Sequence, residues 1–263
     1  MSIVQSIVYG IVQGIAEFLP ISSTAHLVLI PWFFGWKDPG IVFDVALHLG
    51  TAIAVILFFI KDWIILIRAG FTKPKSDNGK LFWFIVIATI PGGLAGVFLD
   101  KYMENLRNPL LIGIVLIAFG IILYLADKIS KNEIELKNIG FLRSLIIGIS
   151  QVFAVIPGIS RSGVTMSAGR FLGIKREDIA KFTFLLSTPI ILGDGLYHAK
   201  NLKNVPIDKA PFVIAIFTSA IIGVLSIKFL LNYLKKRGFG LFVIYRFALG
   251  VFVIVLYFIR FYK

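Results

Sequence analysis

Gln13 and Glu17 are four residues apart and so share one helix face. Beyond Pro20 the run Ser22-Ser23-Thr24 can cap a new helix, and His26 follows Ser23 by three residues, so Ser23 and His26 are expected to meet. A second cluster, Ser160, Arg161, Ser162 and Thr165, opens another helix behind Pro157 and Gly158, where the glycine lets backbone come close to a ligand. Helix N-termini present unpaired N–H groups and the positive ends of dipoles, and Arg161 adds a planar fork of donors. Phosphate is the natural occupant, with Ser22, Thr24, Ser160, Ser162 and Thr165 as candidate contacts. Glu17 beside such an anion makes sense as a base, or as a ligand of a bridging divalent cation with Gln13 as its neighbour. Mg²⁺ commonly takes one or two carboxylates together with substrate phosphates and waters. The combination points to phosphoryl transfer to Ser23 or to water, with electrostatic stabilisation supplying most of the rate. Each group also has a plain structural reading: hydroxyls in membrane helices bond backbone or neighbouring helices, and Arg161 can pair with Glu17.

The elements that must hold these residues are apolar. Of 263 residues, 58% are hydrophobic and 16% charged, against about 45–50% and about 25% in soluble domains. That excludes a water-soluble domain, and with it a nucleic-acid binder with a solvated basic face. The absence of cysteine removes disulfides and thiol nucleophiles, and no cleavable signal peptide is evident at the start. Stretches long enough to cross a bilayer lie at about 41–60, 81–99, 109–126, 178–197, 211–231 and 241–261. Residues 3–36 and 141–172 are instead broken near the middle by Pro and hydroxyls, tolerable in lipid only where freed backbone lines a cavity or is buried in protein. The expected fold is an all-α polytopic membrane protein, with six transmembrane helices and two re-entrant helix-loop-helix hairpins in a single integral domain, 1–263.

Net charge is +13. On that topology one side receives fifteen Lys and Arg, in segments 61–80, 128–143, 175–181 and 235–237, and the other side eight, in 37, 101–107, 200–209 and 260–263. The positive-inside bias then places both termini and the first hairpin outside, and the second hairpin inside. Gln13, Pro20, Ser22 and Ser23 align with Gln151, Pro157, Ser160 and Ser162. Three crossings separate the hairpins, so the second copy is inverted: pseudo-repeats 1–126 and 141–263, whose breaks meet near the midplane. Asp44, His48, Asp194 and Arg246 also fall within spans and read as interhelix pairing groups, or as groups that support the site residues from behind.

The segments QGIAEFLPISSTAHL (13–27) and PGISRSGVT (157–165) closely resemble the two signature motifs of the undecaprenyl-pyrophosphate phosphatase family, the bacitracin-resistance proteins. The similarity continues through FDVALHLGT (43–51), FTFLLSTPIILG (182–193) and IYRFALG (244–250). It implies a membrane enzyme hydrolysing a polyprenyl diphosphate to the monophosphate and inorganic phosphate, recycling the carrier lipid for peptidoglycan synthesis and conferring bacitracin resistance. It further implies Glu17 as the motif acid, Ser23 as nucleophile, His26 as the essential histidine, Arg161 as the phosphate-binding arginine, and Ser160, Ser162 and Thr165 as its surroundings. Gln13 stands where many relatives carry Glu, which leaves one carboxylate fewer. The implied cofactor is Mg²⁺ or Ca²⁺, and the implied location is the cell membrane with the site open to the outer face. Ser23, His26 and water remain alternative nucleophiles, and a homodimer is left open. The rival reading is a polyprenyl-phosphate transporter or flippase, since inverted repeats with broken helices are also the transporter plan.

Overall fold

The computed structural model describes residues 1–103, 106–199 and 209–261. Lys200, Lys203 and Lys263, three of the eight basic residues on the less basic side, lie outside them. Eleven α-helices account for almost all of the described chain. The first predicted hairpin is α1 (Ile3–Ala16) and α2 (Ser23–Phe34), separated by the Pro20 turn. A capping box between Ser2 and Gln5 starts α1, and Gly35 in the left-handed region ends α2. The second hairpin is α7 (Phe141–Ser150), a 3-10 turn (Gln151–Val155), and α8 (Arg161–Phe171).

Between and after them run α3 (Ile41–Phe58), α4 (Ile60–Thr72), α5 (Asp77–Met103), α6 (Pro109–Ile129), α9 (Arg176–Ala199), α10 (Lys209–Leu234) and α11 (Gly240–Phe261). By length and composition, α5, α6, α10 and α11 can each cross a membrane, and the α3–α4 pair makes five if it counts as one span. The pair is not straight: α4 turns away from α3 by 73°. Its first turn carries Lys61 and Asp62, which avoid lipid, and Asp62 pairs with Lys181 of α9 at 2.5 Å. The fourth predicted crossing, 178–197, falls on α9, whose residues 182–188 are all buried. Over that stretch the helix is buried on every side, as a core segment is. Phe184 of α9 meets Phe18 edge to face with centroids 5.5 Å apart.

Packing is crosswise. Helix α1 lies on α10 while α7 lies on α5, and α3 pairs with α9 as α6 pairs with α11. Small residues permit the close approaches, as is usual where lipid supplies no hydrophobic drive between helices. A Cβ on Gly14 would stand 2.8 Å from the Ser219 carbonyl of α10, and one on Gly148 would collide with the Ala88 carbonyl of α5. At one end of the bundle Arg107 reaches Asp38 and Asp44, and Arg260 caps the carbonyls of Trp32 and Phe33. At the other, Asp127 accepts from Arg170, Arg176 and the Phe239 amide.

Candidate active site

Both breaks are built alike. Ser22 and Ser160 each hold φ at +76°, a strained conformation for a residue with a Cβ. Each caps the helix that follows, the Ser22 hydroxyl accepting from the Ala25 amide and the Ser160 hydroxyl from the Gly163 amide. The two breaks also touch. The Gly158 amide donates to Ser22 Oγ at 3.2 Å, and Ser162 Oγ donates to the Leu19 carbonyl at 3.1 Å. Gly158 lets the second break pack closely on α6, rather than admit a ligand: its φ is +101°, and a Cβ there would press on Val115.

A fully buried arginine locks the junction. The Arg246 side chain, on α11, donates to the carbonyls of Pro20, Ile159, Gly158 and Leu116 at 2.7–3.2 Å. Four carbonyl dipoles from three segments replace the acid that a buried guanidinium otherwise needs. Its chain position, inside a span, marked Arg246 as costly; its placement between the two breaks has no signature in the sequence.

Next to this junction is a cavity of about 30 Å³, lined by Glu17, Ser23, Thr24, His48, Ser160 and Arg161 among others. Glu17 gathers most of the polar contacts along its wall. Its Oε2 accepts from Ser23 Oγ at 2.7 Å and from Gln13 Nε2 at 3.1 Å. Arg161 Nη1 stands 3.7 Å from Glu17 Oε1, and it is buried without a hydrogen-bond partner. Gln13 Oε1 is buried without one as well. Ser22 Oγ lies 3.2 Å from Thr24 Oγ1, and Ser160 Oγ 3.1 Å from Ser162 Oγ.

Not every candidate faces the cavity. Ser23 turns to Glu17 rather than to His26. The His26 ring donates from Nδ1 to the Ser22 carbonyl at 2.7 Å, and its Nε2 lies 2.6 Å from the Tyr245 hydroxyl of α11. Thr165 Oγ1 donates back into its own helix and accepts from Thr183 of α9. Ser22 and Ser162 spend their hydroxyls on the junction. The shift from cradle to scaffold follows from burial, since each hydroxyl in a dry interior must bond the nearest backbone group. Conversely His48 lines the cavity, with Nε2 3.6 Å from Glu17 Oε2. Its Nδ1 donates to the Asp44 carbonyl, while the Asp44 carboxylate faces Arg107. A titratable ring inside a span was the signal for His48; nothing in the sequence paired it with Glu17.

Apolar helices around a buried cluster of carboxylate, guanidinium and hydroxyls define a multi-pass membrane protein with a polar site in its interior. Residues 6–252 match the family described as bacitracin resistance protein BacA, and the chain belongs to that family. It is 51% identical to the undecaprenyl-diphosphatase of Caldicellulosiruptor bescii over 263 residues, 99% of each chain. Its identity to the undecaprenyl-diphosphatase of Pelotomaculum thermopropionicum is also 51%, over 97% of each, and to that of Moorella thermoacetica 46%, over 99% of this chain and all of that one.

Proposed function

We propose that the chain hydrolyses undecaprenyl diphosphate to the monophosphate and inorganic phosphate, an activity that recycles the carrier lipid and underlies bacitracin resistance. The observation that carries this reading is the unfilled donor of Arg161, aimed into a cavity that also holds a hydroxyl already bonded to a carboxylate.

Arg161 and the N-terminus of α8 bind the terminal phosphate, whose oxygens fill the open donor. Ser23 Oγ attacks the terminal phosphorus, its proton passing to Glu17 along the existing hydrogen bond. The anhydride bond breaks, and polyprenyl monophosphate leaves. Glu17 gives that proton to the departing monophosphate, and water then attacks the seryl phosphate with Glu17 accepting a proton and returning it to Ser23 Oγ as the phosphoester bond breaks, which releases inorganic phosphate and restores Ser23. His26 has a holding role, fastening the first turn of α2 to α11 through Tyr245. Ser160 and Thr24 border the bound phosphate.

A divalent cation, Mg²⁺ or Ca²⁺, fits the donor set. Glu17 supplies a carboxylate and Gln13 an amide oxygen that is buried and unpartnered, and substrate phosphates complete such sites. When bound it neutralises phosphate charge.

The topology that supports this chemistry is six crossings and two re-entrant hairpins in inverted repeats, 1–126 and 141–263. The matched φ of Ser22 and Ser160, their matched caps, and the exchange of α1–α10 for α7–α5 support the duplication. Residues given the same side by the charge count meet in pairs: Lys181 with Asp62, Arg176 with Asp127, Arg107 with Asp38 and Asp44. With the more basic side inward, the first hairpin opens outward, where the diphosphate is presented.

Purified protein in detergent, given polyprenyl diphosphates of different chain length with Mg²⁺, tests the activity. Release of inorganic phosphate that Ser23→Ala and Arg161→Ala abolish is expected. No release under varied cation conditions, with labelled lipid crossing vesicles unchanged, would establish the flippase reading instead.

A further inference from the structure

We infer that His48 is a direct ligand of the divalent cation, so that the site in this chain carries an imidazole nitrogen beside the Glu17 carboxylate. This rests on the reading that a cation serves the reaction, and it adds a nitrogen donor and a metal preference to it.

The ring is held as a ligating histidine is held. It lies on α3 one turn beyond Asp44, and Nδ1 donates to the Asp44 carbonyl at 2.7 Å. That bond places the proton on Nδ1 and leaves the lone pair of the neutral ring on Nε2. Metal-bound histidines are backed in this way by a carbonyl or carboxylate, which fixes both tautomer and ring orientation.

Nε2 then faces Glu17 Oε2 at 3.6 Å. A neutral Nε2 and a carboxylate oxygen are both acceptors, and the gap exceeds the range of a hydrogen bond. Two ligand atoms each about 2.0–2.2 Å from one ion accommodate such a gap. Both side chains are sheltered, 13% and 5% exposed, and both line the cavity that holds Ser23, Ser160 and Arg161. Gln13, one turn before Glu17, brings its unpartnered Oε1 as a further oxygen. Among the described residues no three His, Asp or Glu side chains cluster. The protein shell is therefore partial, and water and substrate phosphate oxygens complete it.

A mixed set changes which ions fit. Imidazole suits zinc and the later transition metals, whereas Mg²⁺ and Ca²⁺ take oxygen. Mn²⁺ is accordingly expected to bind more tightly than Ca²⁺.

Pulsed electron paramagnetic resonance of Mn²⁺ bound to the full-length protein in detergent reads the ligand directly. The expected result is a nitrogen modulation that changes when histidine is labelled with ¹⁵N, disappears in His48→Gln and survives in His26→Gln. Removing the nitrogen ligand is expected to weaken Mn²⁺ binding about 10- to 100-fold, at least as much as losing the support behind a ligand. Bound Mn²⁺ without histidine modulation, or modulation that persists in His48→Gln, overturns the inference. Isotope labelling needs no variant, so wild type alone shows whether any of the three histidines is a ligand should His48→Gln not fold. Failure of the underlying reading looks different: no Mn²⁺ binds, and phosphate release continues undiminished in chelator.

Discussion

Ser23 donates to Glu17 at 2.7 Å, so in the proposed reaction the carboxylate rather than His26 takes the proton of the attacking hydroxyl. Glu17→Gln removes the acceptor but keeps the shape, and a fall of about 10²–10⁴ in turnover is expected from steady-state phosphate release. Tyr245→Phe, which removes only the hydroxyl facing His26, is expected to cost far less, because it loosens α2 without touching the cavity. Equal losses in the two variants would contradict this division. Glu17, Ser23 and Arg161 were legible in the sequence because a carboxylate, a hydroxyl and a guanidinium at helix breaks in lipid have few other uses. The partner of each was not. Helical spacing allows Ser23 either Glu17 or His26, and only the path of the chain around Pro20 turns the hydroxyl one way and the ring the other.

Among the elements, the two breaks are held by backbone groups, and their integrity depends on Arg246. Arg246→Lys keeps the charge but cannot span four carbonyls. A loss of roughly 2–4 kcal/mol is expected from thermal unfolding in detergent, given the cost of lost charge-assisted hydrogen bonds, with activity lost alongside. Gly148→Leu is expected to separate α7 from α5 and lower the melting temperature similarly, since no rotamer avoids the Ala88 carbonyl. A gentler attachment lies at the far end, where residues 133–135 bond the turn after α8 through Gly173 and Lys175. The Lys175 ammonium, then that of Lys137, holds the Glu135 carboxyl down at about 2 from an ordinary 4.5. Because the folded value is the lower one, this contact stabilises fully above pH 4.5 and is lost as pH falls toward about 2. Amide exchange at Ile134 and Lys175 should stay protected at pH 5 and rise on acidification, the more so at high salt, since the pair is exposed. Capping and breaking residues announced these elements well. The bend after α3 was not announced, because charges at Lys61 and Asp62 are compatible with an interfacial end as well as with a turn.

For the whole molecule, the charge split predicts which loops share a side, and a chain without cysteine allows a clean measurement. In intact cells, single-cysteine variants Lys37→Cys and Lys263→Cys are expected to react with an impermeant maleimide, and Lys75→Cys and Lys131→Cys to react only after permeabilisation. The reverse pattern inverts the topology; reaction of Lys37→Cys and Lys75→Cys alike removes the crossing between them. Composition and hydropathy alone determined that this is an apolar, helical, multi-pass protein, because a bilayer accepts only long apolar segments whose backbone is internally bonded. The motif residues determined the chemistry available, because buried polar groups in such segments are too costly to be incidental. The tertiary structure decided which of those groups meet. Arg246 joins breaks that are 138 positions apart at Ser22 and Ser160, and α3 brings His48 to Glu17. Contacts between distant segments depend on how helices cross and on where their small residues let them approach, and neither is written in the spacing along any one helix.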